Sequence, residues 1–135
     1  MLKLIIGVKG TGKTKTLISM VNEAVTNSKG AVICIEKGEK LRYDVKYQAR
    51  LINTEEYFID DAQSLFGFVA GIFASNHDVT DLFIDSALKI CQNDAEAFDK
   101  FLDEMSAIVE KLNINVVMTS SLPVENATET VKKFI

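Results

Sequence analysis

Eight consecutive residues carry the clearest chemistry in this chain: Gly7-Val8-Lys9-Gly10-Thr11-Gly12-Lys13-Thr14. Two glycines with four residues between them, followed by Lys and Thr, give the pattern G-x-x-x-x-G-K-[ST]. Glycines let a backbone curl into a concave loop and approach a phosphate closely. Amides from about Lys9 to Thr14 can then donate to phosphate oxygens. A helix starting here adds its positive N-terminal end. Lys13 supplies a point charge for β- and γ-phosphates, and Thr14 supplies a hydroxyl for Mg²⁺. At average residue usage, roughly one chain of this length in two hundred matches by chance, so the motif is specific. Other reactive types are sparse. His77 is the only histidine and sits in a polar stretch, and Cys34 and Cys91 lack metal-ligand spacing. No Ser-His-Asp or Cys-His arrangement is supported.

The flanking elements suit such a loop. Leu2 to Ile6 reads as a short buried strand, and Lys13 to about Asn27 as a helix with Leu17, Ile18, Val21, Ala24 and Val25 on one face. Gly30 stops it, and Ala31 to Ile35 is a second apolar strand. Leu41 to Leu51 alternates apolar and polar residues, which predicts a one-sided strand or hairpin. A helix is expected from about Asp60-Asp61 to Ser75, and a third buried strand from Thr80 to Asp85. A long amphipathic helix follows over Asn93 to Leu112, with Ala97, Phe101, Ile108 and Leu112 facing the core. Asn115 to Thr119 is a fourth strand, and a last short helix is expected from about Asn126 to Phe134. Strands alternating with helices predict a three-layer α/β/α domain with a mostly parallel sheet, residues 1–135 forming one unit.

With loop and flanks in place, the chain resembles the P-loop NTPases, and Gly7–Thr14 is similar to their Walker A motif. The resemblance implies nucleotide contacts from Gly7, Val8, Lys9, Gly10, Thr11, Gly12, Lys13, Thr14 and Lys15, with ATP and Mg²⁺ as cofactors. It also implies an apolar strand ending in a metal-holding Asp. Leu82-Phe83-Ile84-Asp85 fits, so Thr14 and Asp85 form the expected metal pair. In the additional-strand branch, which includes the AAA and RecA-like proteins, a Glu often follows that Asp and activates water. Here Ser86 stands in its place, and a hydroxyl is a poor general base. Glu55 or Glu56 could substitute. The same branch carries a polar sensor at the end of the next strand, where Thr119, Ser120 and Ser121 lie. Lys13, Asp85 and Ser120 are thus the expected catalytic set. No Asn/Thr-Lys-x-Asp motif for reading guanine is present, which favours ATP. The resemblance implies an ATP/Mg-binding protein with weak or partner-dependent hydrolysis. A small-molecule or nucleotide kinase and a non-catalytic nucleotide switch are the alternatives.

Composition bounds the rest. The 135 residues are 47% apolar and 25% charged, with one Pro and seven Gly, as in an ordinary folded domain. Nineteen acidic and fifteen basic residues leave a net charge of −4, which argues against nucleic acid as a partner. One segment opposes this balance: Lys37 to Arg50 has five basic and two acidic residues, including both arginines, Arg42 and Arg50. Its bland reading is the solvated face of an edge strand; its sharper one is a site for a phosphorylated substrate, a nucleic acid backbone or an acidic partner. The N-terminal apolar run is too short for a signal peptide, and the run from Leu65 to Ala74 too short to span a bilayer. The two cysteines read as reduced thiols. A cytoplasmic protein is therefore expected. The 65–74 stretch has no polar side chain, so as a helix it is expected either to expose Phe or Val or to lie sandwiched between the sheet and the C-terminal segment. Such a helix could serve a homodimer or a protein partner, with Gly67 and Gly71 forming a groove.

Overall fold

Four apolar runs and the short segment Arg50–Asn53 become five strands, and the side chains along them alternate between two layers. The structure, a computed structural model, describes residues 1–135. In chain order the elements are β1 (Leu2–Gly7), α1 (Lys13–Asn27), β2 (Ala31–Glu36), β3 (Arg50–Asn53), α2 (Ala62–Ser75), β4 (Val79–Ile84), α3 (Ala87–Ile90), α4 (Ala95–Leu112), β5 (Asn115–Ser121) and α5 (Glu129–Lys132). Every strand pair is parallel, and the spatial order is β1-β5-β4-β2-β3. Helices cover both faces, which makes a three-layer α/β fold. Parallel sheets need this double cover, because their strands are apolar on both sides.

Alternation along the strands sets the layers. Val32, Cys34, Phe83 and Val117 face α1, where they meet Leu17 and Val21. Their neighbours Ile33, Ile35, Leu82, Ile84, Val116 and Met118 face the other way, toward Leu65, Val69 and Phe73 of α2 and Phe98, Phe101, Leu102, Met105 and Val109 of α4. β1 is an edge strand. Its inner side pairs with β5, while the Leu4 amide donates to the Phe134 carbonyl at 2.8 Å, so the C-terminal segment covers its outer side. No helix is long and apolar enough to cross a membrane.

Four sequence expectations need correction. Leu41 to Leu51 is not a strand; only Arg50–Asn53 pairs, with β2. Leu41, Val45 and Ala49 are buried against α1, and Tyr43 and Tyr47 are each 90% exposed. Residues four apart are also multiples of two, so a period-two pattern concealed a chain of turns. Those turns are held by Asp44 and Val45 amides on the Leu41 carbonyl and by the Ala49 amide on Lys46. Asn22 of α1 supplies the missing strand neighbour, donating to the Asp44 carbonyl at 2.9 Å and accepting from the Lys46 amide at 2.8 Å.

The core stripe of α4 is Phe98, Phe101, Leu102, Met105 and Val109, one residue out of phase with the expected face at its start, and Leu112 lies 42% exposed at its end. On α2 the outward side carries Gly67, Gly71 and Ala74, not Phe or Val. Phe66, Phe68 and Ile72 sit on the flanks, half-buried against the core. The helix is capped by Asp61 and Ser64, which exchange side-chain and backbone hydrogen bonds. Beyond β5 the chain makes a 3₁₀ turn at Val124–Asn126 and only one turn of helix, α5, capped by Thr128.

These placements predict contrasting truncations. Leu65→Ala, at a fully buried position, should cost about 2–5 kcal/mol. Leu112→Ala should cost less than about 1 kcal/mol. Urea denaturation of both variants checks the assignment; equal losses would contradict it.

Candidate functional site

The loops after β1, β2, β4 and β5 gather at the carboxyl edge of the sheet, where open α/β folds hold ligands. They enclose a cavity of about 430 Å³ with no hydrophobic residue in its lining. The β1–α1 loop contributes Lys9, Gly10, Gly12, Lys13, Thr14 and Lys15. Asp85, Ser86, Lys89 and Asn93 follow β4, Thr119 and Ser121 end β5, and Lys40 comes from the segment after β2.

The loop's shape follows from its glycines. Gly10 and Gly12 have φ of 87° and 84°, in the left-handed region that side chains with a Cβ disfavour. Gly12 is also the residue capping α1, and it offers no side chain to the helix amides, so they remain available to an anion. Inside the loop the Thr11 hydroxyl donates to the Val8 carbonyl at 2.8 Å, and the Lys13 ammonium donates to the same carbonyl at 2.9 Å. Lys13 is largely buried although charged. Gly7, Val8 and Thr11 shape the loop but do not line the cavity.

Across the cavity floor, residues distant in sequence meet on one carboxylate. The Thr14 hydroxyl lies 3.1 and 3.3 Å from the two Asp85 oxygens. The Thr119 hydroxyl donates to Asp85 Oδ1 at 2.7 Å and accepts from the Ser86 amide at 2.8 Å. Asp85 is the only carboxylate in the lining. No group of three or more His, Cys, Asp and Glu side chains is arranged to hold a metal. Mg²⁺ takes oxygen ligands, keeps several waters and needs only one or two protein donors beside phosphate. Thr14 and Asp85 satisfy that requirement.

Ser120 departs from expectation. Its hydroxyl is fully buried, donates to the Thr119 carbonyl at 2.8 Å and accepts from the Leu88 amide at 3.2 Å. Period two turns it away from the cavity and leaves Thr119 and Ser121 facing in. Its work is to hold α3, a helix with no side-chain cap of its own. Glu55 and Glu56 are exposed in the 3₁₀ turn after β3 and do not reach the cavity. Arg42 and Arg50 line a separate space of about 320 Å³ beside Tyr57. His77 is exposed on a loop.

Sequence reasoning passed over Glu36. It ends β2 as Asp85 ends β4, and Ile-Cys-Ile-Glu is the same pattern as Leu-Phe-Ile-Asp. Only 2% exposed, it accepts the Lys40 amide at 3.0 Å and the Leu41 amide at 3.2 Å. Burial pushes its carboxyl up; those amides oppose the shift, and the charges of Asp85 and Glu39 add to it. Lys89 and Asn93 also went unseen, for nothing in their spacing marks them. Cys34 and Cys91 are free and buried, and burial raises both thiols, Cys91 to about 12, so neither is a thiolate near neutral pH.

In comparisons with known proteins, no family model and no curated protein matches the chain.

Thr119→Val keeps the shape but strips both bonds of the bridging hydroxyl. It should destabilise the fold by about 1–3 kcal/mol, because the Ser86 amide loses its acceptor. Ser121→Ala, at an exposed neighbour, should be near neutral. Denaturant melts of the pair read the difference.

Proposed function

We propose that this chain binds a nucleoside triphosphate with Mg²⁺, ATP by preference, in the manner of the additional-strand P-loop NTPases. The observation that carries the reading is the contact of Thr14 with Asp85 beneath the uncapped start of α1, two residues 71 positions apart in the chain. A loop motif alone is a pattern; a loop hydroxyl meeting a carboxylate from the end of a distant strand is a built polar site. The strand order supports the same class, since β5 is an additional strand between the strands that lead to the loop and to Asp85.

In this reading the loop amides and the α1 terminus bind the phosphates, and Lys13 exchanges its bond to the Val8 carbonyl for phosphate oxygen. Thr14 and Asp85 would hold the Mg²⁺, which supplies charge neutralisation of the phosphates. Thr119 orients Asp85 from below. No second carboxylate lines the cavity to take a proton from water, so intrinsic hydrolysis is slow. The lack of a guanine-reading motif favours adenine. Transfer to an acceptor other than water is the second reading, favoured by the lysines that fill the cavity where a base would stand.

Lys13→Ala should lower ATP affinity by roughly tenfold or more, as for loss of a charge-assisted bond. Unchanged affinity by calorimetry would remove Gly7–Thr14 as the phosphate site. Asp85→Asn should weaken binding in Mg²⁺ more than binding in EDTA, because Asp85 acts through the ion. Turnover of the isolated chain should stay below about one per minute, well under the usual enzyme range. A phosphate-release assay showing fast steady hydrolysis would defeat the slow-turnover statement.

A further inference from the structure

The cavity holds more positive charge than a bound nucleotide uses. Five lysines, at 9, 13, 15, 40 and 89, line it against the single carboxylate of Asp85. A triphosphate carries about four negative charges near neutral pH, and Mg²⁺ removes two of them. With Asp85 counted, a balance of about two positive charges is left over, which is the charge of one further phosphate.

The surplus has a location. In the order β1-β5-β4-β2, the phosphate loop follows the edge strand β1 and Asp85 follows β4. Lys40 follows β2, on the side of Asp85 away from the loop, and Lys89 stands on α3 just after Asp85. Neither is needed to hold the fold by ion pairing: the salt bridges of the chain join Lys132 to Glu129 and Lys133 to Asp103.

The backbone under both lysines is pinned by buried polar side chains. Glu36 holds the amides of Lys40 and Leu41, and Leu41 is itself anchored in the core. Ser120 holds the amide of Leu88, Thr119 that of Ser86, and Leu88 and Ile90 are buried on either side of Lys89. Burying a carboxylate is costly, and Glu36 fixes a five-residue turn in which Lys37, Glu39 and Lys40 are exposed, Lys40 alone of them lining the cavity. Such support fixes where the backbone presents these two lysines to the cavity.

We propose that Lys40 and Lys89 form a second phosphate subsite, on the far side of Asp85 from the loop. Its ligand is a phosphate group beyond the three of a bound nucleoside triphosphate. That group belongs either to the same phosphate chain or to a separate phosphorylated ligand. The proposal rests on the nucleotide reading above and adds the class of ligand that completes it.

Calorimetry on the full chain tests it. Three titrants are used with Mg²⁺: ATP, adenosine tetraphosphate, and inorganic phosphate added over a saturating non-hydrolysable ATP analogue. The proteins are wild type, Lys40→Ala/Lys89→Ala and Lys9→Ala/Lys15→Ala, the last removing equal charge from the loop side. If the phosphate belongs to the same chain, wild type prefers the tetraphosphate over ATP by about tenfold, and that ratio falls to near one only in Lys40→Ala/Lys89→Ala. If it belongs to a separate ligand, inorganic phosphate binds over the analogue and is lost only in that variant. Lys9→Ala/Lys15→Ala weakens both nucleotides and keeps their ratio. Intact ATP binding with neither effect overturns the subsite and leaves the nucleotide reading standing, as does a preference that survives in Lys40→Ala/Lys89→Ala. Absence of ATP binding in wild type overturns both.

Discussion

A carboxylate placed at the inner end of a strand must find donors or a cation, because water cannot solvate it fully. Asp85 is in that position, and the arrangement of the site follows from how it is satisfied. Thr119 reaches it from β5 and Thr14 from α1, so a strand and a helix are tied to one pair of oxygens. Thr119 also takes the Ser86 amide, which sets the start of α3. The loop, the Thr14–Asp85 contact and the short helix carrying Lys89 therefore share one anchor. Moving any of them strains the others.

Glu36 repeats the device one strand over. There the donors are backbone amides, and the result is an ordered turn bearing Lys40. Two buried acids on neighbouring strands thus organise two kinds of feature: one faces the cavity, and the other builds its wall. Burial first of all pushes the Glu36 carboxyl up, and the neighbouring charge of Asp85 adds to that shift. Positive charge in the cavity beside them is the natural counterweight.

Much of this was legible beforehand, and for identifiable reasons. Strands buried on both faces read as uninterrupted apolar runs, so β1, β2, β4 and β5 stood out. Gly7–Thr14 and Asp85 were visible because glycine and a strand-terminal acid are local signals. Ser120 was misjudged since choosing among three adjacent polar residues needs the strand's phase, and Ser121 and Thr119 share the opposite one. Leu41, Val45 and Ala49 satisfy periods of two and four alike, and only packing against α1 separates a turn from a strand. Lys40 and Lys89 enter the site through the sheet order, which no local pattern contains.

The two strands beside the glycine-rich loop lie far apart in sequence, for Leu2 pairs with Val116 and Gly7 with Ser121. During synthesis the loop therefore leaves the ribosome well before its supporting strand does. Until that strand arrives, β1 has no partner in the sheet, and Thr14 lacks the Thr119–Asp85 brace. Closing so long a stretch of chain is entropically demanding and slow. The nascent chain thus carries its glycine-rich motif long before the strand that braces it exists.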